Sequence, residues 1–468
     1  MKRFFPSLYL FLATCYSFSA NWLVGPTQTY TMPSQVDGLV QNGDTVSIDV
    51  GTYASDVAHW TANNLLLRGV GGYAHLESNG FSWGDKAIWV IGGNNTRVEW
   101  IEFSECTSTS LNGAGIRQEG LNLTVRYCYF HNNEDGILAG TLNPSTILIE
   151  FTEFGYNGAG DGYSHNLYIN HVDSLIFRYN YSHHCNIGHE LKSRAHVNLI
   201  LYNRFSNEGT GNASREIDLP DGGTAIVIGN IIEQGPNSTN SGIIGYGQES
   251  LTNNPPHELY LVNNTVVNDK SNGTFVSIPA GTSIFKAYNN IFAGSGTLLS
   301  GSASIIDTSN NWRITNISSA GFLNASNYDY HLTGSSGAIN GGINAGNASS
   351  GYNLTPSLEY SHPANNVARN IFGIIDIGVH EYSSANGVSE SENDFQFNFF
   401  VSHKTLSLFY DSENSASIKI IDLNGRILKE EKISKGKSQM DISNFETGIY
   451  ILEIISEGQR KSGIFFLQ

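Results

Sequence analysis

Six short segments align on one apolar column: GIRQE (115–119), GILAG (136–140), NLYIN (166–170), ELKSR (190–194), EIDLP (216–220) and GIIGY (242–246). The column is Ile116, Ile137, Leu167, Leu191, Ile217 and Ile243. Side chains alternate across an extended chain, so if this column faces inward its neighbours face out. The middle segments then present Asn166, Tyr168, Asn170, Glu190, Lys192, Arg194, Glu216 and Asp218 on one face, with Tyr246 one segment further on. His165, His189, His196 and Arg215 fall at its edge. Only 14% of the chain is charged, so this concentration of titratable groups reads as a site rather than a solvated surface.

The residue types suit removal of a proton α to a carboxylate. Lys192 would be the base, with Arg194 beside it favouring the neutral amine. Arg215 or Arg194 would neutralise the substrate carboxylate or assist departure of a glycosidic oxygen. Asn166, Glu190 and Glu216 offer the hard oxygen ligands that calcium prefers. Tyr168 and Tyr246 could stack on a sugar ring, and Asn170, His165, His189, His196 and Asp218 surround them as substrate contacts. Two other chemistries fit the same residues. Glycoside hydrolysis needs paired carboxylates, which Glu190, Glu216, Asp218 and Asp221 could supply. A carbohydrate-binding or adhesive solenoid needs no catalysis, but it predicts a uniform face, whereas the charge here is confined to about three segments.

The elements that must position these residues are short strands recurring every 23 to 34 residues or so. One column of that register reads Cys128, Thr152, Asn180, Asn203, Asn230, Asn264 and Asn290, which predicts a stacked amide ladder. Strands at this period cannot bury their faces alone and must stack as coils. The expected fold is all-β: a right-handed parallel β-helix over 21–383, with coils from about 30 to about 380, then a linker over 384–398. A small antiparallel β-sandwich follows over 399–468, with a hairpin turn at Asn424-Gly425.

Residues 1–20, MKRFFPSLYLFLATCYSFSA, pair a basic start with a short apolar run and small residues, as a signal peptide does. No later apolar stretch is long enough for a transmembrane segment. Cys106, Cys128 and Cys185 lack metal-ligand spacing and read as buried thiols. His131, His183 and His184 read as structural turn residues. The net charge of −17 lies almost wholly upstream of residue 401, and with no basic block a nucleic-acid partner is excluded.

The segment HELKSRAHVNLILYNRFSNEGTGNASREIDLPDGGTAIVIGN (189–230) resembles the catalytic stretch of the β-helix lyases that include chondroitinase B and alginate lyases. The resemblance places Lys192 on that family's catalytic base. The family's acid is an Arg in Arg-His-Gly, where this chain has Pro220-Asp221-Gly222, so the nearest arginine is Arg215. Calcium is held there by an Asn and two acids, which Asn166, Glu190 and Glu216 match in chemistry. The tail is similar to the C-terminal sorting domain of the type IX secretion system, through IIDLNGRIL (420–428), MDISNFETGIYIL (440–452) and the terminal KSGIFFLQ. That likeness implies a secreted or surface-attached protein of Bacteroidetes type, handled by the type IX machinery; Lys192, Arg194 and Arg215 gathered on one face point to an extracellular, anionic polysaccharide as its substrate.

Overall fold

The computed structural model describes residues 19–382 and 396–467, apart from 403–404, 412–413, 423–425, 446–447 and 457–458. The expected signal peptide up to residue 18, the linker up to residue 395 and the turn at Asn424-Gly425 lie outside the described residues.

Each coil contributes short strands to parallel sheets. A ten-stranded sheet, the site sheet, runs from Ala58–Trp60 through Asp135–Ala139, Leu167–Ile169, Leu191–Ser193, Ile217–Leu219 and Gly242–Tyr246 to Thr297–Ser300. The other two faces of the coil are joined into one 21-stranded sheet by the long strand Leu66–Glu77. That strand pairs in parallel with both Thr96–Glu99 and Ile101–Ser104.

Inside, the apolar column of each strand stacks on the next coil. Phe103, Phe130 and Phe154 lie ring on ring at 4.8 and 5.0 Å. Free thiols Cys106, Cys128 and Cys185 are buried as expected. The amide ladder is present: Asn203 Oδ1 accepts from the backbone N and Nδ2 of Asn180 at 2.9 and 3.1 Å. The pattern repeats through Asn230, Asn264 and Asn290 and reaches Asn311. Each amide also donates to a carbonyl of the preceding coil, as Asn203 does to Phe177 O at 2.9 Å, so a buried corner that breaks the strand pattern keeps its polar groups paired.

Two boundaries differ from expectation. The coils begin at Asn21–Val24 and their last strand is Trp312–Ile314. Residues 315–382 then fold back outside as two small antiparallel pairs, Phe322–Asn324 with Asp329–Leu332 and Leu358–Ser361 with Asn365–Ala368. Tyr330, Leu332, Tyr360 and Val379 cover Ile231, Val267 and Ile291 of the coils. This outer wall is apolar and is covered by these added strands rather than by further coils.

The tail packs a three-stranded antiparallel sheet against a four-stranded one. Leu406, Leu408, Ile418, Ile420, Met440, Leu452 and Ile454 form its core, the sandwich read from the sequence.

Candidate active site

Leu167, Leu191 and Ile217 are fully buried and anchor three successive strands of the site sheet. Alternation turns Tyr168, Lys192 and Asp218 outward, and parallel register stacks them directly, Tyr168 on Lys192 and Lys192 on Asp218. Arg194 leaves the end of its strand beside Tyr168, with Nε donating to the Tyr168 hydroxyl at 3.0 Å. Arg215 precedes the next strand and pairs with Asp218, Nη1 to Oδ1 2.8 Å. Gly245, the register partner of Asp218, leaves room for this pair. A Cβ there would lie 2.7 Å from Asp218 Oδ1 and 3.1 Å from Arg215 Nη1.

The centre of the face is a carboxylate clamp that includes a residue the sequence reading missed. Glu249 Oε1 lies 2.8 Å from Lys192 Nζ, and Oε2 accepts from Arg194 Nη2. The loop that carries Glu249 is tied to the turn beneath it. Glu249 N and Ser250 N donate to Pro220 O, Ser250 Oγ donates to Asp221 Oδ1 at 3.2 Å, and Asn253 Nδ2 donates to Gly222 O at 3.0 Å. Asp221 in turn pairs with Arg194 at 2.7 Å and with His171 at 2.8 Å. The two cations hold the Glu249 carboxyl down at about 2 despite its partial burial. Burial pushes the Asp218 carboxyl up, against the pull of Arg215 and Lys192.

His165 and His189 stack at 4.8 Å beneath the face. Their tautomers follow from partners that can only donate: His165 Nδ1 accepts from His189 N, and His189 Nδ1 accepts from Arg215 N. Each neutral ring therefore carries its proton on Nε2. Burial pushes the basicity of both down, His189 to about 3 with Lys192 and Arg215 adding to the effect. His189 Nε2 looks toward Asp218 Oδ2 at 3.7 Å.

Two expected substrate contacts, His165 and Tyr246, are buried, while Asn170 and His196 stay half-buried at the edge. His165 is 1% exposed, beneath the surface rather than at its edge. Asn170 holds His171, and its Oδ1 accepts from His171 N at 2.9 Å. His196 sits past the strand end, where its carbonyl accepts from Thr224 N. Tyr246 is wholly buried and donates to Gly223 O at 2.6 Å. The cause is register: Ile217 pairs with Ile244 rather than Ile243, and a one-residue shift turns Tyr246, the partner of Leu219, to the inside.

Asn166, Glu190 and Glu216 also turn inward, each fully buried. They lie before their strands, in a corner where alternation does not hold. Asn166 continues a second interior ladder, accepting from Asn157 Nδ2 at 2.9 Å and donating to Glu190 Oε2 at 2.6 Å. Glu190 also accepts from Cys185 N and Ser182 Oγ, and Glu216 from Asn207 Nδ2. Desolvation pushes the Glu190 carboxyl up to about 8 and raises Glu216 strongly. Carboxyls turned inside the coil in this way, Glu190 paired and Glu216 with Oε2 unpaired, do not reach a calcium ion that meets substrate on the face. Their inward direction removes Glu190 and Glu216 from the carboxylates available for hydrolysis; Asp218 and Asp221 remain on the outer side of the sheet, each 2% exposed beneath its cationic partners.

Comparison with known proteins agrees with this architecture. A family described as a right-handed β-helix region matches residues 63–232, and one described as a secretion system C-terminal sorting domain matches residues 400–465. The chain is thus a β-helix protein with a secretion sorting domain. Among solved structures it is similar to pectate lyase Pel9A, at a TM-score of 0.53 and 13% identity, covering 78% of this chain and 97% of that one. At that identity the likeness shows the fold. A pectin methylesterase from Aspergillus niger aligns at a TM-score of only 0.27 and 13% identity, over 64% of this chain and 91% of its own. No curated protein matches the chain. Among the described residues, no helix is long and apolar enough to cross a membrane.

Proposed function

We propose that this chain is a secreted enzyme that cleaves a uronic-acid-containing polysaccharide by β-elimination, with Lys192 as base. The observation that carries the reading is the grip of Lys192 and Arg194 on the Glu249 carboxylate. Two cations on adjacent outward positions already hold a carboxylate, and Glu249, with its side chain 48% exposed, is replaceable by one from solution. A uronate taking its place would put its carboxylate against Arg194, whose fork favours such a partner, and its acidic C–H within reach of Lys192 Nζ. Nζ, having first released its own ammonium proton to solvent, takes that proton, and the C–H electron pair becomes the new double bond. The glycosidic C–O bond breaks, and the departing oxygen, assisted by Arg215, leaves as a hydroxyl with a proton from solvent. Tyr168, with Lys192 Nζ 5.7 Å from its ring centre, offers a face to the sugar.

Export by a signal peptide and the type IX machinery, with the tail serving as its address, belongs to the same reading and is supported by the sorting-domain match. The test is to incubate the protein with a panel of uronate polymers. Ultraviolet absorbance of the conjugated unsaturated product supports elimination. New reducing ends without that absorbance would assign the face to hydrolysis by Asp218 and Asp221, and neither signal would leave a binding solenoid.

A further inference from the structure

A second cluster lies on a different wall of the coil from the clamp. His75, on Leu66–Glu77, is the register partner of Glu102, on Ile101–Ser104, and the next strand, Tyr129–His131, ends in His131. Three consecutive coils thus turn two imidazoles and a carboxylate toward one point. Glu102 Oε1 lies 2.9 Å from His131 Nε2 and 3.7 Å from His75 Nε2, and the three ligand atoms all fall within 4.8 Å of one another. The side chains are only 17 to 23% exposed. Tyr129 stacks on His131 at 4.3 Å, and Glu153, the register partner of Tyr129, is engaged by His183 at 3.1 Å.

Hydrogen bonding around His131 asks for a cation. Nδ1 lies 2.7 Å from Asn132 Oδ1 and Nε2 lies 2.9 Å from Glu102 Oε1, so both ring nitrogens face oxygens that accept. A neutral imidazole has one N–H. With that proton on Nδ1, the Nε2 lone pair meets a carboxylate, and something positive must lie between them. His75 Nε2 lies 2.7 Å from Ser104 Oγ, whose hydroxyl satisfies the Nε2 lone pair in this arrangement and rotates away when that nitrogen joins the same carboxylate in holding an ion. A proton on His131 meets the need only at that ring. A metal ion meets it at His131 and Glu102 and, once the Ser104 hydroxyl turns away, takes His75 as a third ligand.

We propose that His75, Glu102 and His131 bind one divalent transition metal of the zinc class, clipping three coils together at a site separate from the Lys192 clamp. Two imidazole nitrogens with one carboxylate oxygen select zinc and its neighbours over calcium or magnesium, which prefer all-oxygen shells. Asn132, on the far nitrogen of His131, fixes ring and tautomer as outer partners of metal-bound histidines do. A fourth position remains for water.

The test uses the full chain, stripped with chelator, loaded with zinc chloride and dialysed before its metal content is measured. One equivalent of zinc retained per chain, with a midpoint of thermal unfolding that rises on loading and falls back with chelator, is expected. His75→Ala/His131→Ala should lose the retained zinc, and Glu102→Gln should weaken binding at least about tenfold. Cobalt(II) loaded into the unaltered protein needs no variant, and its visible spectrum should report nitrogen ligation in a low-coordinate shell. Sub-stoichiometric zinc in the unaltered protein, zinc retained equally by the variants, or a cobalt spectrum of the hexa-aquo ion would each overturn the proposal.

Discussion

If Glu249 occupies the place of a substrate carboxylate, Glu249→Gln should strengthen substrate binding. Glutamine keeps the volume and the loop but removes the charge that competes for Lys192 and Arg194. The Glu249 carboxyl is held from its ordinary 4.5 down to about 2, an upper bound of about 3 kcal/mol for the clamp. Since the side chain is nearly half exposed, solvent screening leaves about 1 to 2 kcal/mol. At about 1.4 kcal/mol per tenfold, KM for a uronate polymer should fall roughly 5- to 30-fold in the variant, with kcat changed little. The lowered carboxyl keeps the clamp fully formed above its ordinary value, and the clamp is lost only as pH falls toward 2. The KM ratio of the two proteins should therefore be flat from pH 5 to 8. Initial rates of unsaturated-product absorbance against polymer concentration give both constants. A KM that rises, or a kcat that collapses with KM unchanged, would mean that Glu249 positions Lys192 for the reaction, and the competition argument would fail.

Lys192→Ala should lower the elimination rate by about 10²- to 10⁴-fold, the usual worth of a general base, and activity within twofold of the parent would remove Lys192 from that role. Gly245→Ala drives a methyl to within 2.7 Å of Asp218 Oδ1, so the Arg215–Asp218 pair must shift; a clear drop in kcat with unchanged urea stability is expected, and unchanged kcat would show that the pair does not serve the reaction. Asn203→Ala removes the acceptor of Asn180 N and Nδ2 and the donor to Phe177 O; at about 1 kcal/mol or more for each of these groups, urea unfolding should show a loss of at least about 3 kcal/mol, and a loss below 1 would deny the ladder its role. Glu190 is raised from 4.5 to about 8, so the folded state holds its proton more tightly than the unfolded chain; this contribution is intact below 4.5 and is lost as pH rises through 8. Glu190→Gln should flatten that decline in thermal unfolding between pH 5 and 8, and an identical slope in both proteins would contradict the buried acid.

What the sequence determined by itself was whatever repeats or depends on neighbours along the chain. Alternating strands with asparagine in one column impose stacked coils, because each amide needs a partner above and below. The register from Tyr168 through Lys192 to Asp218 followed from a single apolar column, and so did the concentration of cations at that face. The tail's balanced charge and alternation were enough to mark a separate sandwich. Tertiary structure alone decided where the pattern breaks. Asn166, Glu190 and Glu216 precede their strands, so the corner, not strand alternation, sets their direction and sends them into the interior ladder. One extra residue before Ile244 slips the register and buries Tyr246, a shift that a run of isoleucines cannot reveal. Glu249 reaches Lys192 across 57 residues because its loop folds back onto the Pro220 turn, and His75, Glu102 and His131 meet because three coils share one wall. Side-chain convergence across coils depends on loop paths and strand offsets of a few ångströms, and these are fixed only when the whole solenoid packs.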